Sequence, residues 1–130
     1  MELFKIFDTQ DERREYAGSA FIEIQLCKMP VDTPIEKIVS VDALEHWKND
    51  SLYVVDLNMF YQRYRDVLVD GTYNNLKTGP VDIYGINYYA PLKIDDIISR
   101  IRRMQPEDYN ILADWLCKAK SCNGFYILGI

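Results

Sequence analysis

Hydrophobic and polar residues alternate most clearly between residues 20 and 27 of the chain. Ile22, Ile24 and Leu26 are separated by Glu23 and Gln25, and this period of two predicts a half-buried strand. Short apolar runs bounded by polar or turn residues predict further strands at residues 3–7, 35–39, 52–55, 81–89 and 125–130. The 81–89 segment has apolar or aromatic residues on both faces, so we expect that strand in the interior of its sheet. We expect the last strand to be built into the sheet as well.

Apolar residues spaced three and four positions apart predict amphipathic helices in three further segments. The stripes consist of Phe60, Tyr61, Tyr64 and Leu68, ending before Gly71; of Ile94, Ile97, Ile98 and Ile101; and, after a helix start at Pro106, of Tyr109, Leu112, Ala113 and Leu116. Asp42 with Glu45 three residues later forms a capping-box pattern, which predicts a short helix ending near Asn49. Residues 70–80, rich in Gly, Asn and Thr, are predicted to form a polar loop.

The order of these elements indicates the fold class. Strands occur at the beginning, the middle and the end of the chain, and the helices between them follow no strict strand-helix repeat. That order favours an α+β fold, with a mixed or mainly antiparallel sheet and about four helices packed on it. The 130 residues are enough for one hydrophobic core, so we expect a single globular domain over residues 1–130.

The charge of the chain is unevenly distributed. The formal net charge is −5, and it lies entirely in the first fifty residues, which hold eleven acids and six bases; the remainder holds nine of each. An acidic surface repels the phosphate backbone of nucleic acids and attracts basic proteins over a distance. We therefore expect no nucleic-acid partner, although solubility alone would also explain the acidic excess.

Composition also bears on the compartment. Hydrophobic residues make up 48% of the chain, yet no apolar run approaches the ~20 residues that a membrane-spanning helix needs, and the first residues lack the pattern of a secretory signal. The three cysteines, Cys27, Cys117 and Cys122, form no Cys-x-x-Cys pair, and an odd number cannot be fully paired within one molecule. We expect a soluble cytoplasmic protein with reduced thiols and no membrane partner; its oligomeric state stays open.

The residues expected of an active site are sparse. His46 is the only histidine, and the glycines are too widely spaced for a phosphate-binding loop. Carboxylates beside predicted strands suggest one alternative, a metal-dependent nuclease using Asp8, Glu23, Asp56 and Asp82, but Gln25 stands where a common nuclease motif has lysine. We therefore expect no enzymatic activity, no cofactor and no bound metal.

Ten tyrosines are the most distinctive feature of the composition. Tyrosine offers a large contact area with one polar end, which suits protein interfaces; the alternative is that these rings pack internally with their hydroxyl groups satisfied. Several lie beside acidic residues after the first long helix. The predicted partner-binding residues there are Asp70, Tyr73, Asp82, Tyr84 and Tyr88, and a second candidate surface is the acidic segment with Asp8, Asp11, Glu12 and Glu15.

The C-terminal third resembles the immunity proteins that bacteria carry beside polymorphic toxins or toxins of contact-dependent growth inhibition. The residues that carry this resemblance are Tyr88, Tyr89 and Pro91, then Tyr109, Leu112, Trp115 and Leu116, then residues 123–130. The resemblance implies a cytoplasmic antitoxin that binds one cognate toxin domain, often a basic nuclease, and covers or distorts its active site. A regulatory or adaptor protein from a mobile element and a small metal-dependent nuclease are the competing interpretations.

Overall fold

The computed structural model of the chain describes residues 3–5, 22–40 and 52–129. Within these residues, seven strands form one sheet in the order β1-β3-β2-β7-β6-β4-β5, and every neighbouring pair is antiparallel. The strands are β1 Phe4–Lys5, β2 Ile22–Leu26, β3 Leu52–Val54, β4 Gly71–Thr72, β5 Thr78–Gly79, β6 Ile86–Tyr89 and β7 Phe125–Gly129. The last strand is therefore the middle one of the sheet.

Four helices occur in the described residues: α1 Ile35–Ile38, α2 Leu57–Tyr64, α3 Pro91–Met104 and α4 Tyr109–Ala119. Proline at the first turn of α3 suits a position whose N–H has no helical partner. Asp56 caps α2 by accepting a hydrogen bond from the backbone N–H of Met59 at 2.9 Å. Together with the sheet, these helices confirm the predicted α+β class. No helix of the described segments is long and apolar enough to span a membrane.

The main hydrophobic core lies between one face of the sheet and helices α2, α3 and α4. The predicted stripes supply it: Phe60 and Tyr64 from α2, the four isoleucines of α3, and Leu112, Ala113 and Leu116 from α4 are all buried. From the sheet, Ile24 and Ile127 face each other in adjacent strands and lie in the same cluster. Because the helical period matches the buried face, these segments fold as their sequences predict.

The opposite face of the sheet is also covered, which corrects the prediction of a half-buried strand at β2. All five residues of β2 are buried, including Glu23 at 1% and Gln25 at 4% exposure. A second, smaller cluster occupies this face, made of Cys27, Ile38, Val39, Tyr88, Tyr126 and Leu128. The alternation of residue types in β2 is real, but its polar side faces protein rather than solvent.

Two predicted strands take other forms. Residues 35–39 form the single-turn helix α1, because Pro34 starts a turn whose carbonyl accepts from the N–H groups of Lys37 and Ile38 at 3.0 and 3.2 Å. Of residues 81–89, only Ile86–Tyr89 is a strand. The preceding residues form a turn held by side-chain hydrogen bonds, described below. The predicted interior position is correct, since β6 pairs with both β7 and β4.

The predicted polar loop at 70–80 contains a small hairpin. In it, Gly71 pairs with Gly79 and Thr72 with Thr78. Glycine and threonine give no apolar alternation, so the hydrophobic pattern could not indicate these strands. The hairpin is instead positioned by β6, because Tyr88 of β6 pairs with Thr72 of β4.

Helix boundaries also shift. The helix predicted to reach Leu68 ends at Tyr64, and the chain continues as a turn in which the Tyr64 carbonyl accepts from Val67 and Leu68. Pro106 starts a turn, and α4 itself begins at Tyr109. The predicted helix near residues 42–49 lies outside the described residues.

Candidate functional site

A buried asparagine organises the turn before β6. The side chain of Asn87 accepts from the N–H of Asp82 at 2.8 Å and donates to the carbonyls of Asp82 and Ile127 at 2.8 and 2.9 Å. These bonds use the N–H and carbonyl of Asp82, while the carbonyl of Gly85 accepts from the N–H of Gly129 at 2.9 Å. Because Asn87 is fully buried, its hydrogen bonds have no competition from solvent, and the turn is held in one conformation.

Asp82 and Tyr84 are presented by this turn. One carboxylate oxygen of Asp82 accepts from the N–H of Tyr84 at 2.9 Å, which is the hydrogen bond of an Asx turn. The Tyr84 side chain is 71% exposed. A large aromatic ring thus stands in solvent on a backbone held by hydrogen bonds, an arrangement in which binding would cost little further ordering.

Tyr73 reaches the same place from the β4–β5 hairpin. Its hydroxyl group donates to the carbonyl of Pro80, and its backbone N–H donates to the carbonyl of Lys77 at 2.8 Å, across the hairpin loop. The ring also lies against Gly79, where a side chain would collide with the Tyr73 hydroxyl. Glycine at this position therefore allows the ring to lie across the end of β5.

These residues line a groove of about 500 Å³ that we call the tyrosine groove. Its walls come from three elements: the exposed side of α2, the hairpin, and the turn before β6. The lining residues are Tyr61, Tyr73, Pro80, Val81, Asp82, Ile83 and Tyr84. Three aromatic rings and one carboxylate converge here, a composition typical of protein interfaces.

The carboxylate influences the electrostatics of the groove. The pKa of Tyr73 is raised, first by partial burial and then by the negative charge of Asp82 and the proximity of Tyr61. The guanidinium of Arg65 lies over the Tyr61 ring, with 5.9 Å between its central carbon and the ring centroid. The groove therefore combines a negative charge with ring faces that attract cations.

Asp70 does not line the tyrosine groove. Its contacts are with residues of helix α3. Its carboxylate is 3.7 Å from the guanidinium of Arg100, and its carbonyl accepts from the ammonium of Lys93 at 2.6 Å. Arg100 also donates to the carbonyl of Val67 at 2.9 Å. Asp70 therefore fastens the start of the hairpin to α3, and its role in partner binding stays a prediction.

Tyr88 lies inside the protein. It is 3% exposed, and its hydroxyl group donates to the carbonyl of Asn123 at 2.6 Å. Its ring packs against Tyr126, with 5.5 Å between the centroids. This is the alternative arrangement considered for the tyrosines, internal packing with a satisfied hydroxyl group, and it removes Tyr88 from the partner-binding surface.

Two residues of the candidate site were not predicted from the pattern. Tyr61 was assigned to the apolar stripe of a helix, yet it is only partly buried and lines the groove. Asn87 gave no signal beyond being a polar residue inside an aromatic strand. An asparagine in such a run is itself unusual, since asparagine is depleted in strands, and that signal could have indicated a buried hydrogen-bonding role.

The other residues considered for catalysis or metal binding do not come together in one site within the described residues. They contain no group of three or more His, Cys, Asp or Glu side chains able to hold a metal ion. Asp56 serves as a helix cap and Asp82 as a turn residue. All three cysteines are free, with Cys117 exposed rather than buried. His46 and the acidic residues Asp8, Asp11, Glu12 and Glu15 lie outside the described residues.

A second groove, of about 610 Å³, is lined by α1, the loop that precedes it and Ser40. Its lining residues are Met29, Pro30, Asp32, Thr33, Pro34, Lys37 and Ser40. It has no aromatic side chain and carries one charge of each sign, so it offers weaker anchors for a protein partner than the tyrosine groove.

Comparisons of the chain with protein-family models, with curated proteins and with solved structures find no match.

Proposed function

We propose that this protein is a cytoplasmic immunity protein that binds and neutralises a cognate toxin domain, with a basic nuclease domain as the partner. The tyrosine groove is the contact surface in this proposal. Its support combines the resemblance of the C-terminal third, the charge of the chain and the geometry of the groove. The function itself is that of a stoichiometric inhibitor, which acts by occupying or distorting the active site of its partner.

The observation that carries the proposal is an exposed aromatic surface on a rigid support. Tyr84 is exposed although the turn beneath it is fixed by the buried side chain of Asn87. Folding gains nothing evident from a tyrosine in solvent, whereas binding gains an anchor at low entropic cost. An inhibitor that must capture a toxin quickly and retain it benefits both from the exposed ring and from the fixed turn that supports it.

Charge supports the choice of a basic partner. The chain carries a net charge of −5, all of it from the first fifty residues, and the groove, which lies in the neutral remainder, contributes the carboxylate of Asp82. Opposite charges increase the rate of encounter, and like charges suppress wrong partners. A nuclease domain binds phosphate backbones through a basic surface, and such a surface is complementary to the negative charge of this protein.

Co-expression with the product of the neighbouring open reading frame tests the function. We expect that product to arrest growth when expressed alone and the arrest to be relieved by this protein. We also expect the two purified proteins to form a complex with one copy of each. Continued arrest in the presence of well-expressed, folded protein would overturn the proposal.

A single substitution tests the surface. Tyr84→Ala removes an exposed ring, so the free energy of unfolding should stay within about 0.5 kcal/mol of the native value. The dissociation constant of the complex should rise at least about tenfold, as expected for an aromatic anchor. Leu92→Ala is the matched control, because Leu92 is a 93% exposed apolar residue at the start of α3 and lies outside the groove. Equal effects of the two substitutions would place the contact surface elsewhere.

A further inference from the structure

We infer that the tyrosine groove receives an arginine side chain of the partner. The inference rests on the proposed function, in that the arginine belongs to the basic toxin domain. It is narrower than that function, because it states which chemical group the groove recognises.

The lining of the groove suits both parts of an arginine side chain. Pro80, Val81 and Ile83 form an apolar wall against which an aliphatic stem can pack. The three tyrosine rings offer faces for a guanidinium plane, which stacks on aromatic rings and is only weakly hydrated. The volume of about 500 Å³ lies within the range of pockets that enclose small ligands, about 300–1,000 Å³.

One of these rings already attracts a guanidinium within the protein. Arg65 lies over Tyr61 at 5.9 Å from the ring centroid, within the ~6 Å over which cation–π attraction is effective. Arg65 itself is not part of the lining of the groove. Tyr61 thus already makes, within the protein, the kind of contact that we infer for the groove.

Asp82 supplies a counter-charge for the guanidinium, and only one of its two carboxylate oxygens is engaged by the turn. One of its carboxylate oxygens accepts from the Tyr84 N–H, and the other lies beside Gly85, where a Cβ would approach it to 2.9 Å. Asp82 is exposed, and glycine at position 85 places no side chain against this second oxygen. A hydrogen bond from a guanidinium to a carboxylate is about twice as strong as one between neutral groups.

Titration with small probes tests the inference without the toxin. N-acetyl-arginine amide is added to the isotope-labelled protein, and backbone amide shifts are followed by NMR; N-acetyl-citrulline amide is the probe of similar shape without the charge. We expect saturable shifts at Tyr73, Asp82 and Tyr84, with a dissociation constant on the order of 1–10 mM for one such side chain. The citrulline probe should bind at least about fivefold more weakly, because it lacks the cation.

Asp82→Asn separates charge from turn structure. Asparagine keeps an oxygen that accepts from the Tyr84 N–H, so the turn should persist, and an unchanged amide spectrum outside the groove verifies this. The arginine probe should bind about fivefold more weakly to the variant. Asp114→Asn, on the exposed side of α4, removes the same charge elsewhere and should leave probe binding unchanged.

The outcomes distinguish the inference from the proposed function. Equal binding of the arginine and citrulline probes, or native probe affinity of the Asp82→Asn variant, overturns the arginine inference even if the protein neutralises its toxin. A lysine amide probe that binds as tightly as the arginine probe also overturns the assignment to a guanidinium. Selective arginine binding by a protein that neutralises no toxin supports the inference and refutes the proposed function alone.

Discussion

At the scale of single residues, buried polar groups that bond to the backbone determine the local conformation. Asn87 is the clearest case, because its side chain bonds to the N–H and carbonyl of Asp82 and to the carbonyl of Ile127, and so joins the turn before β6 to β7. Tyr64 is another: its hydroxyl group donates to the carbonyl of Glu107 at 2.6 Å and ties α2 to the turn before α4. These side chains link segments that are distant in the sequence.

Replacing Asn87 tests this role. Asn87→Ala removes a buried side chain, and it leaves the N–H of Asp82 and the buried carbonyl of Ile127 without their side-chain partner. We expect the free energy of unfolding in urea to fall by about 1–3 kcal/mol. The matched control is Asn58→Ala, because Asn58 is exposed on α2. If both variants unfold at the same urea concentration, the network around Asn87 does not stabilise the turn.

At the scale of elements, the last strand holds the sheet together. β7 pairs with β2 over five residues and with β6 over four. It therefore joins the half of the sheet formed by β1, β3 and β2 to the half formed by β6, β4 and β5. Its ring contacts reach the neighbouring strand and one helix, since Phe125 stacks on Tyr89 of β6 and meets Trp115 of α4 edge to face.

Removal of residues 125–130 should therefore unfold the protein. Fully burying one large apolar side chain contributes about 1.5–3 kcal/mol, and β7 buries Phe125, Tyr126, Ile127 and Leu128. Their loss is comparable with the whole stability of a domain, about 5–15 kcal/mol. We expect the truncated chain to lose the circular-dichroism signal of folded structure and its cooperative melting. A melting temperature equal to that of the intact chain would contradict this account.

At the scale of the whole molecule, four buried tyrosines link folding to alkaline pH. Burial is the main cause that raises the pKa of Tyr64, Tyr88, Tyr89 and Tyr126 above their ordinary value. In the unfolded chain these groups ionise near pH 10, whereas in the folded protein they stay neutral. Their contribution to stability is thus complete below about pH 10 and is lost as the pH rises further.

We therefore expect the free energy of unfolding to fall above about pH 10, by up to ~1.4 kcal/mol per pH unit for each such tyrosine. Urea unfolding at a series of alkaline pH values measures the slope. Tyr89→Phe is the control variant, because the Tyr89 hydroxyl is buried without a hydrogen-bond partner among the described residues. Removing it should leave the protein at least as stable at neutral pH and make the alkaline slope shallower. A flat profile above pH 10 would show that the buried tyrosines are not linked to folding.

Association with a basic partner should also depend on salt. Raising the ionic strength from about 0.01 to 0.15 M shortens the screening length from about 30 to 8 Å, so the association rate measured by stopped flow should fall. Asp82→Lys should slow association more than Asp114→Lys, which changes the net charge equally. Asp70→Lys is less suitable, since it also breaks the contact with Arg100. An association rate that is indifferent to salt would remove electrostatic steering from the proposed function.

The sequence by itself determined the helices and strands whose apolar residues repeat with the period of that element along its length. The isoleucine stripe of α3 and the apolar run of β7 each match a buried face, and the residues of β2 form the predicted strand. Local spacing suffices there because the same residues form the element and pack it. The α+β class follows from the order of these elements, and Tyr73, Asp82 and Tyr84, which were predicted as partner-binding residues, line one groove.

Only the tertiary structure decided which faces are covered and which polar groups become internal. The polar side of β2 is buried because a second cluster covers that face of the sheet, and Tyr88 is buried for the same reason. Asp70 binds α3, and Asn87 bonds to β7, forty positions away in the chain. Each of these outcomes depends on a partner distant in sequence, and the pattern around a residue carries no information about which distant segment will cover it.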